Sequence, residues 1–198
     1  LDRLAASGVR FTDFYAAAPV CSASRAALLT GCYSQRVGLA DYQVLFPGQA
    51  QGLNPRECTI ARQLKQGGYA TKIIGKWHCG DQPEFLQAVH GVVGFFGIPF
   101  SNDMGRQAAK RRREFPPLPL VRDEEVIQEQ PDQAALTERY VEDCVRFIRE
   151  NKARPFFLYF ASHDIHVPRM PHERFQGETP MGFRGDAIVE FDWQVGEI

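Results

Sequence analysis

Apolar positions along the chain alternate between a helical period and continuous apolar runs. Residues 133–152 have the clearest helical period, and the apolar run Phe156–Ala161 that comes next is typical of a parallel strand covered on both faces. Residues 59–66 also predict a helix, and residues 70–75 predict a buried strand. Because helices alternate with buried strands, the pattern predicts an α/β fold. The apolar stripe of the clearest helix comprises Leu136, Tyr140, Cys144, Phe147 and Ile148.

Patterns near the two ends of the chain add shorter elements. Asp2–Ser7 predicts a short helix, and residues 9–15, which are rich in Val and Phe, predict a strand. Residues 186–198 predict a last amphipathic helix. Its apolar face is expected to contain Ile188, Phe191, Val195 and Ile198.

The middle of the chain has little periodicity. Residues 80–131 are rich in Gly and Pro, and we interpret them as a long, loop-rich excursion within a single unit that spans residues 1–198. No internal repeat is evident.

Composition and charge exclude several classes of partner. The chain has a net charge of −1, so no overall field attracts nucleic acid. The basic run at residues 110–113 is short and is interpreted as a solvated loop. No apolar stretch is long enough to predict a membrane span. The 5 cysteines form no CxxC pair, and their odd number leaves at least one thiol unpaired or modified.

Cys21 stands out among the cysteines because it precedes a predicted helix. The sequence after it favours a helix that begins at Ser22 or Ser24, with a serine as its cap, and ends at Thr30. Cys21 would then lie at a helix N-terminus, with Arg25 one turn on. Both features stabilise negative charge, so the pattern predicts a functional cysteine.

Further cationic and polar side chains lie after the predicted strands. Lys76 and His78 come after residues 70–75, and His163 and His166 come after Phe156–Ala161. In open α/β sheets, ligands bind beyond the carboxyl ends of the strands. These groups therefore predict a site for a compact oxyanion, but the residues alone do not distinguish sulfur from phosphorus. Zinc is disfavoured, because the common helical zinc motif needs histidines four residues apart.

Four segments resemble the motifs of the type I, formylglycine-dependent sulfatases, in that family's order. Residues 21–31 (CSASRAALLTG) resemble the modification signature, with Ala23 in place of the commoner proline. Residues 75–80 (GKWHCG) resemble a second motif, in which Cys79 replaces leucine. The other two segments, residues 97–103 (GIPFSND) and residues 161–168 (ASHDIHVP), resemble the arylsulfatase A branch. The resemblance implies an alkaline-phosphatase-like α/β fold with a mostly parallel sheet.

The same resemblance implies a role for each matched residue. Cys21 would be oxidised to formylglycine by a formylglycine-generating enzyme, and its hydrate would attack the sulfur of a sulfate monoester. The second hydroxyl of the hydrate would then expel sulfate. Arg25 and His78 would act on the hydrate as catalytic residues. The sulfate would be contacted by Lys76, Ser101 and His166, with His163 a weaker candidate.

A calcium ion is the main gap in this assignment. The family binds Ca²⁺ through acidic pairs together with the formylglycine at the position of Cys21. Calcium needs several hard oxygen ligands, and the chain contains no Asp-Asp pair. The resemblance therefore implies that residues 1–198 are part of a longer catalytic domain. We predict that this chain alone binds calcium poorly and has little or no activity.

Other functions remain open from the sequence. A phosphate or phosphonate ester hydrolase of the same superfamily could carry the same signature, and a non-catalytic binding or structural domain could retain it. A cysteine hydrolase would use Cys21 as a thiolate with His78 or His166 as its base, but an orienting partner at a recognisable spacing is missing. The family resemblance also implies a sulfated glycan or a small sulfate ester as substrate, and export to a periplasm, a lysosome or the medium.

Overall fold

A mixed β-sheet lies at the centre of the fold. The computed structural model describes residues 1–40, 42–106 and 115–198, and within them the sheet has 5 strands in the order β4-β3-β2-β1-β5. β1 pairs in parallel with both β2 and β5, whereas β3 and β4 extend the sheet as an antiparallel hairpin. The strands are β1 (Ala70–Lys76), β2 (Gly94–Ile98), β3 (Pro119–Arg122), β4 (Glu125–Glu129) and β5 (Phe156–Ala161).

Helices flank the sheet. Short 3-10 turns occupy Ser34–Val37, Pro83–Phe85, Gln87–His90, Gln133–Ala135 and Glu173–Phe175. The α-helices are α1 (Asp2–Ser7), α2 (Cys21–Thr30), α3 (Ile60–Gln66), α4 (Leu136–Asn151) and α5 (Phe183–Glu197). This arrangement confirms the α/β prediction.

Two apolar clusters cover the two faces of the sheet. On β1, Ile73 belongs to the cluster that contains Trp77, and its neighbour Ile74 belongs to the cluster that contains Tyr140 of α4. Successive side chains of a strand point to opposite faces, which is why adjacent residues enter different clusters. Four residues of the predicted α4 stripe are buried, namely Leu136, Tyr140, Cys144 and Phe147, and the fifth, Ile148, is partly buried.

Three local predictions are wrong. Residues 9–15 form no strand, and Val9 and Phe11 are exposed. No serine caps α2: its N-cap is Val20, and Ser22 lies inside the helix, where its hydroxyl accepts a hydrogen bond from the Leu45 amide at 3.1 Å. β5 is half-buried rather than fully covered, because within the described residues it pairs only with β1.

The last helix is correctly located, but its buried face is not the predicted one. Ile188 of α5 and Ile198, which follows the helix, are partly exposed, whereas Asp186, Glu190 and Gln194 are fully buried. The helix therefore presents polar side chains to the rest of the molecule.

The range 80–131 is less irregular than the sequence indicates. It contains β2, β3 and β4. The sequence pattern did not reveal these strands, because short strands with glycine and proline have too few apolar positions to show a period. The basic run at residues 110–113 lies outside the described residues.

Candidate active site

Glycines let the parallel strands converge at their carboxyl ends. Gly75 of β1 has a φ of 110°, and a Cβ atom at this position would lie 2.1 Å from the carbonyl oxygen of Ala161 in β5. A Cβ atom at Gly97 of β2 would lie 1.8 Å from the carbonyl oxygen of Gly75. Any side chain at either position would clash with backbone, so the three strand ends are packed as closely as backbones allow. The predicted site residues leave the sheet at this edge.

Cys21 is the first residue of α2 and is partly buried. Val20 before it is extended, so the helix begins at the cysteine and its first backbone amides lack intrahelical partners. Free amides and the helix dipole favour an anionic group beside this residue.

Arg25 connects α2 to the end of β1. Its guanidinium donates a hydrogen bond to the carbonyl oxygen of Lys76, with an N–O distance of 2.6 Å. The contact uses one end of the guanidinium and leaves its charge beside Cys21, one helical turn away.

Lys76 is the central cation of the site. Its side chain is almost completely buried, and Nζ donates to the hydroxyl of Ser101 at 2.9 Å. Burial, followed by repulsion from Arg25, lowers the pKa of Lys76 to about 8, while a hydrogen bond with the Cys21 side chain opposes that shift. The ammonium thus lies between the cysteine and the serine predicted to contact sulfate.

His78 is a neutral, buried imidazole. Its Nε2 lies 2.8 Å from the carbonyl oxygen of Leu45, and since a carbonyl can only accept, Nε2 carries the proton. Burial, together with the charge of Lys76, lowers the pKa of His78 to about 3. Nδ1 is therefore unprotonated, and it is buried without a hydrogen-bond partner among the described residues. The residue also has a φ of 58°, a strained conformation of the kind found at functional sites.

His166 approaches the same cations from the loop after β5. Its Nδ1 donates to the carbonyl oxygen of Val167 at 2.7 Å, so in the neutral ring Nε2 is free to accept. Partial burial, and then the charge of Lys76, lowers the pKa of His166. Arg25 contacts the Lys76 carbonyl, and the charges of these two residues lower the pKa values of both His78 and His166, so the structure places these four side chains in one region.

His163, the weaker candidate, has a structural environment. The ring is buried and meets Tyr140 edge-on, with 5.6 Å between ring centroids. Burial lowers the pKa of His163 to about 4, so the ring is neutral and packs as an aromatic group. Within residues 1–40, 42–106 and 115–198, no group of three or more His, Cys, Asp or Glu residues is arranged to hold a metal ion.

Two further residues belong to this region, although the sequence did not single them out. The charge of Asp103 opposes the lowering of the pKa values of Lys76 and His166. Asp103 lies two residues after Ser101, in a segment already matched to a motif. Tyr159 of β5 lines a 340 Å³ pocket together with Cys21 and Arg25. Only the pairing of β5 with β1 places Tyr159 there, so no local sequence signal marks it.

The arrangement of these groups suits a tetrahedral oxyanion next to residue 21, and comparison with known proteins agrees. The profile of the sulfatase family matches residues 1–198. The chain belongs to the sulfatase family. Its relatives include arylsulfatase A of Bos taurus, at 40% identity over 100% of this chain and 42% of that protein. Another is the N-acetylgalactosamine-6-sulfatase of Canis lupus familiaris, at 38% identity over 100% of this chain and 40% of that protein.

Solved sulfatases share the fold of this family member. The crystal structure of the PsFucS1 sulfatase from Pseudoalteromonas sp. superposes with a TM-score of 0.82 at 28% identity, covering 99% of this chain and 44% of that one. The alkaline-phosphatase-like fold expected from the four motifs is thereby confirmed. The chain spans less than half the length of the relatives it matches.

Calcium does not fit the described part of this sulfatase-family chain. Cys21, once converted and hydrated, would offer at most the two oxygens of a geminal diol, and the described residues include no cluster of His, Cys, Asp or Glu that could hold a metal ion. Calcium takes six to eight oxygen ligands.

Proposed function

We propose that the protein containing this chain hydrolyses sulfate monoesters at residue 21. The observation that carries the proposal is that the side chains of Cys21 and Lys76 lie close together. The cysteine begins α2, and the buried ammonium of Lys76 donates a hydrogen bond to Ser101 and interacts electrostatically with Cys21. A sulfate group next to residue 21 would therefore meet a cation, a hydroxyl and a helix N-terminus at once.

Formylglycine at residue 21 would supply a geminal diol. One hydroxyl would lose its proton and attack sulfur, and the bond between sulfur and the ester oxygen would break as the alcohol leaves with a proton. The second hydroxyl would then lose its proton and form the aldehyde C=O, which breaks the C–O bond to the sulfate group and releases sulfate, and water would rehydrate the aldehyde. Conversion requires a formylglycine-generating enzyme that accepts the segment from Cys21 to Arg25. A plain thiol lacks the second hydroxyl, so an unmodified Cys21 could not complete this cycle.

His78 is suited to take a proton from residue 21. Its Nδ1 is unprotonated, buried and without a partner among the described residues. Its Nε2 keeps its proton and donates it in a hydrogen bond to the carbonyl oxygen of Leu45. A base with a low pKa accepts a proton only when negative charge or a strong hydrogen bond develops beside it. His78 is therefore assigned as the hydrogen-bond acceptor that orients the attacking hydroxyl.

Lys76, Ser101 and His166 are assigned to the sulfate. Charge-assisted hydrogen bonds contribute roughly 1.5–3 kcal/mol each, and burial of Lys76 strengthens its share. Arg25, held on the Lys76 carbonyl, keeps a second positive charge beside residue 21. Protonation of His166 would be favoured once an anion is bound, because the anion offsets the repulsion from Lys76.

A sulfated sugar is the substrate class that the relatives favour. One relative is named for a sulfated amino sugar, N-acetylgalactosamine 6-sulfate, and we extend that class to this protein. We also propose that calcium ligands and any remaining cations come from other parts of a longer protein, and that the protein is exported. In the described residues, no helix is both long and apolar enough to cross a membrane.

Peptide mass spectrometry at residue 21 tests the proposal most directly. Protein containing this chain, co-expressed with a formylglycine-generating enzyme, should carry an aldehyde at residue 21, and it should cleave an aryl sulfate in preference to the matched aryl phosphate. Cys21→Ala should abolish turnover, and Cys21→Ser, which is not converted by a thiol-specific enzyme, should do so as well. An unmodified thiol that iodoacetamide alkylates, in protein that still turns over the sulfate, would overturn the formylglycine route. Faster cleavage of the phosphate would instead assign the protein to the phosphate ester hydrolases.

A further inference from the structure

α5 presents a polar face to the loop that carries His166. Glu190 and Gln194, one helical turn apart, are both completely buried, while the apolar residue Ile188 of the same helix is partly exposed. A helix ordinarily buries its apolar stripe, and burial of polar groups costs free energy unless they are hydrogen-bonded. This inverted face is therefore expected to make specific contacts.

Gln194 joins a closed set of hydrogen bonds at the start of the loop. Its Oε1 accepts from the hydroxyl of Ser162 at 3.1 Å, and its Nε2 donates to the carboxylate of Asp164. The Ser162 hydroxyl in turn accepts from the Asp164 amide at 3.2 Å. Both polar ends of the glutamine side chain are thus used on the two residues that flank His163.

Glu190 holds the other end of the same loop. Its carboxylate accepts a hydrogen bond from the amide of His172 at 3.2 Å and another from the hydroxyl of Thr137 at the start of α4. Glu190 and Gln194 together fix residues 162–164 and residue 172, the two ends of the segment that contains His166.

The middle of the loop is connected to the segment around Ser101. Asn102 donates from Nδ2 to the carbonyl oxygen of Pro168 at 3.3 Å. Ile165, next to His166, has a φ of 72°, which is rare for a β-branched residue and persists only when its surroundings hold it. The position of His166 therefore depends on contacts at both ends and in the middle of this loop.

We propose that Gln194 and Glu190 are positioning residues that set His166 at the distance from Lys76 and Ser101 needed to bind sulfate. The proposal rests on the sulfate role given to His166 under the proposed function. The two side chains act through the backbone of the loop and do not contact the substrate. Displacement of a binding group by about 1 Å is enough to weaken a site strongly.

Amide hydrogen exchange in protein that contains this chain tests the positioning role without any need for catalysis. The reporter is the amide of His166, which donates to the carbonyl oxygen of His163 at 3.3 Å. Gln194→Leu keeps the volume but removes both hydrogen bonds, and it should accelerate exchange at His166 about tenfold, because a closed hydrogen-bonded loop opens less often. Amides of β1 should be unchanged. Glu197→Gln, an exposed position on the same helix, is the matched control and should leave both unchanged.

A charge-conserving exchange separates a specific contact from general destabilisation. Gln194→Glu alone places another carboxylate beside Asp164 and Glu190. It should accelerate exchange at the His166 amide more than Gln194→Leu does. The double variant Asp164→Asn with Gln194→Glu reverses donor and acceptor, keeps the net charge and should restore slow exchange at His166. The positioning role is wrong if Gln194→Leu leaves this amide as protected as in the parent chain. It is equally wrong if the double variant exchanges as fast as Gln194→Glu.

A titration with inorganic sulfate, monitored by the NMR resonances of the His166 imidazole, tests whether the position of the loop affects sulfate binding. Sulfate should raise the pKa of His166 in the parent chain, and Gln194→Leu should weaken sulfate binding at least fivefold, with recovery in the double variant. Normal sulfate affinity in Gln194→Leu, despite a loosened loop, would overturn the functional part of the proposal. If His166 does not respond to sulfate in protein that contains this chain, the result counts against the proposed function, while the exchange rates still decide whether α5 holds the loop.

Discussion

The two halves of the candidate site are held in different ways. Lys76, His78 and Ser101 lie at and beyond the ends of β1 and β2, whose carboxyl ends are packed backbone to backbone at Gly75 and Gly97. His166 lies on a loop that is fixed by polar side chains of α5. The strand-end half is rigid because its backbones leave no room for another atom. The loop half, which carries His166, is held by hydrogen bonds and a buried carboxylate.

This difference indicates how each half responds to change. Steric packing of backbones is insensitive to pH and salt, and it fails only when atoms are added. Hydrogen bonds among buried carboxyl and amide groups depend on protonation, because burial shifts the pKa values of the carboxyls. The strand-end half is therefore expected to be fixed under all folding conditions, and the loop half is expected to vary with pH.

The largest effect is expected from Gly97→Ala. The new methyl group would lie 1.8 Å from the carbonyl oxygen of Gly75, so β1 and β2 would have to separate. We expect a loss of about 3 kcal/mol in the free energy of unfolding, at the upper end of overpacking effects, measured by urea denaturation. Gly196→Ala in α5, where a Cβ atom would meet nothing within 4 Å, is the control and should be neutral or slightly stabilising. Equal stability of Gly97→Ala and the parent would contradict the rigid description of this half.

Lys76→Met should separate binding from stability in the strand-end half. The substitution removes the buried ammonium that contacts Ser101 and Cys21 but keeps an unbranched side chain of similar length. Sulfate affinity should fall at least tenfold, consistent with loss of a charge-assisted hydrogen bond of roughly 1.5–3 kcal/mol. Stability at pH 7 should be unchanged or higher, because the burial cost of the charge disappears. Isothermal titration with sulfate and urea denaturation measure the two quantities, and a variant that binds sulfate normally would remove Lys76 from the site.

Asp164→Asn should reveal the pH dependence of the loop half. Burial, and then repulsion from Glu190, raises the pKa of Asp164 from 3.8 to about 7. The folded chain therefore binds more protons than the unfolded chain between these values, and this carboxyl lowers stability progressively as pH rises from about 4 to 7. The slope is at most about 1.4 kcal/mol per pH unit, the value for one proton.

The asparagine variant removes that contribution, so its stability relative to the parent should increase from pH 4 to pH 7 and then level off. Glu190, whose pKa is also raised by burial, should leave a smaller residual slope. Urea denaturation at several pH values measures the difference. A difference that is constant with pH would mean that Asp164 is not buried as a titrating group.

The candidate site was predictable to the extent that its residues lie next to strong local signals. Cys21 precedes a helix, and Lys76 and His78 come at the end of a buried strand, so their positions at one edge of the sheet result from general rules of α/β folds. Ser101 and His166 became candidates through motif resemblance, and the structure places both near Lys76. Asp103 and Tyr159 were missed because a loop carboxylate and a strand tyrosine have no pattern of their own.

The sequence by itself determined the α/β class, the main helices and strands, the sulfatase family and the residues around Cys21, because each depends on neighbours within one element or one motif. Only the tertiary structure decided which face of α5 is buried. The apolar spacing predicted Ile188 and Val195, but the loop after β5 offers Ser162, Asp164 and the His172 amide as partners, and these satisfy Glu190 and Gln194 instead. Hydrogen bonds between residues 18 to 32 positions apart leave no period in a sequence, and for that reason the support of His166 became visible only in the folded chain.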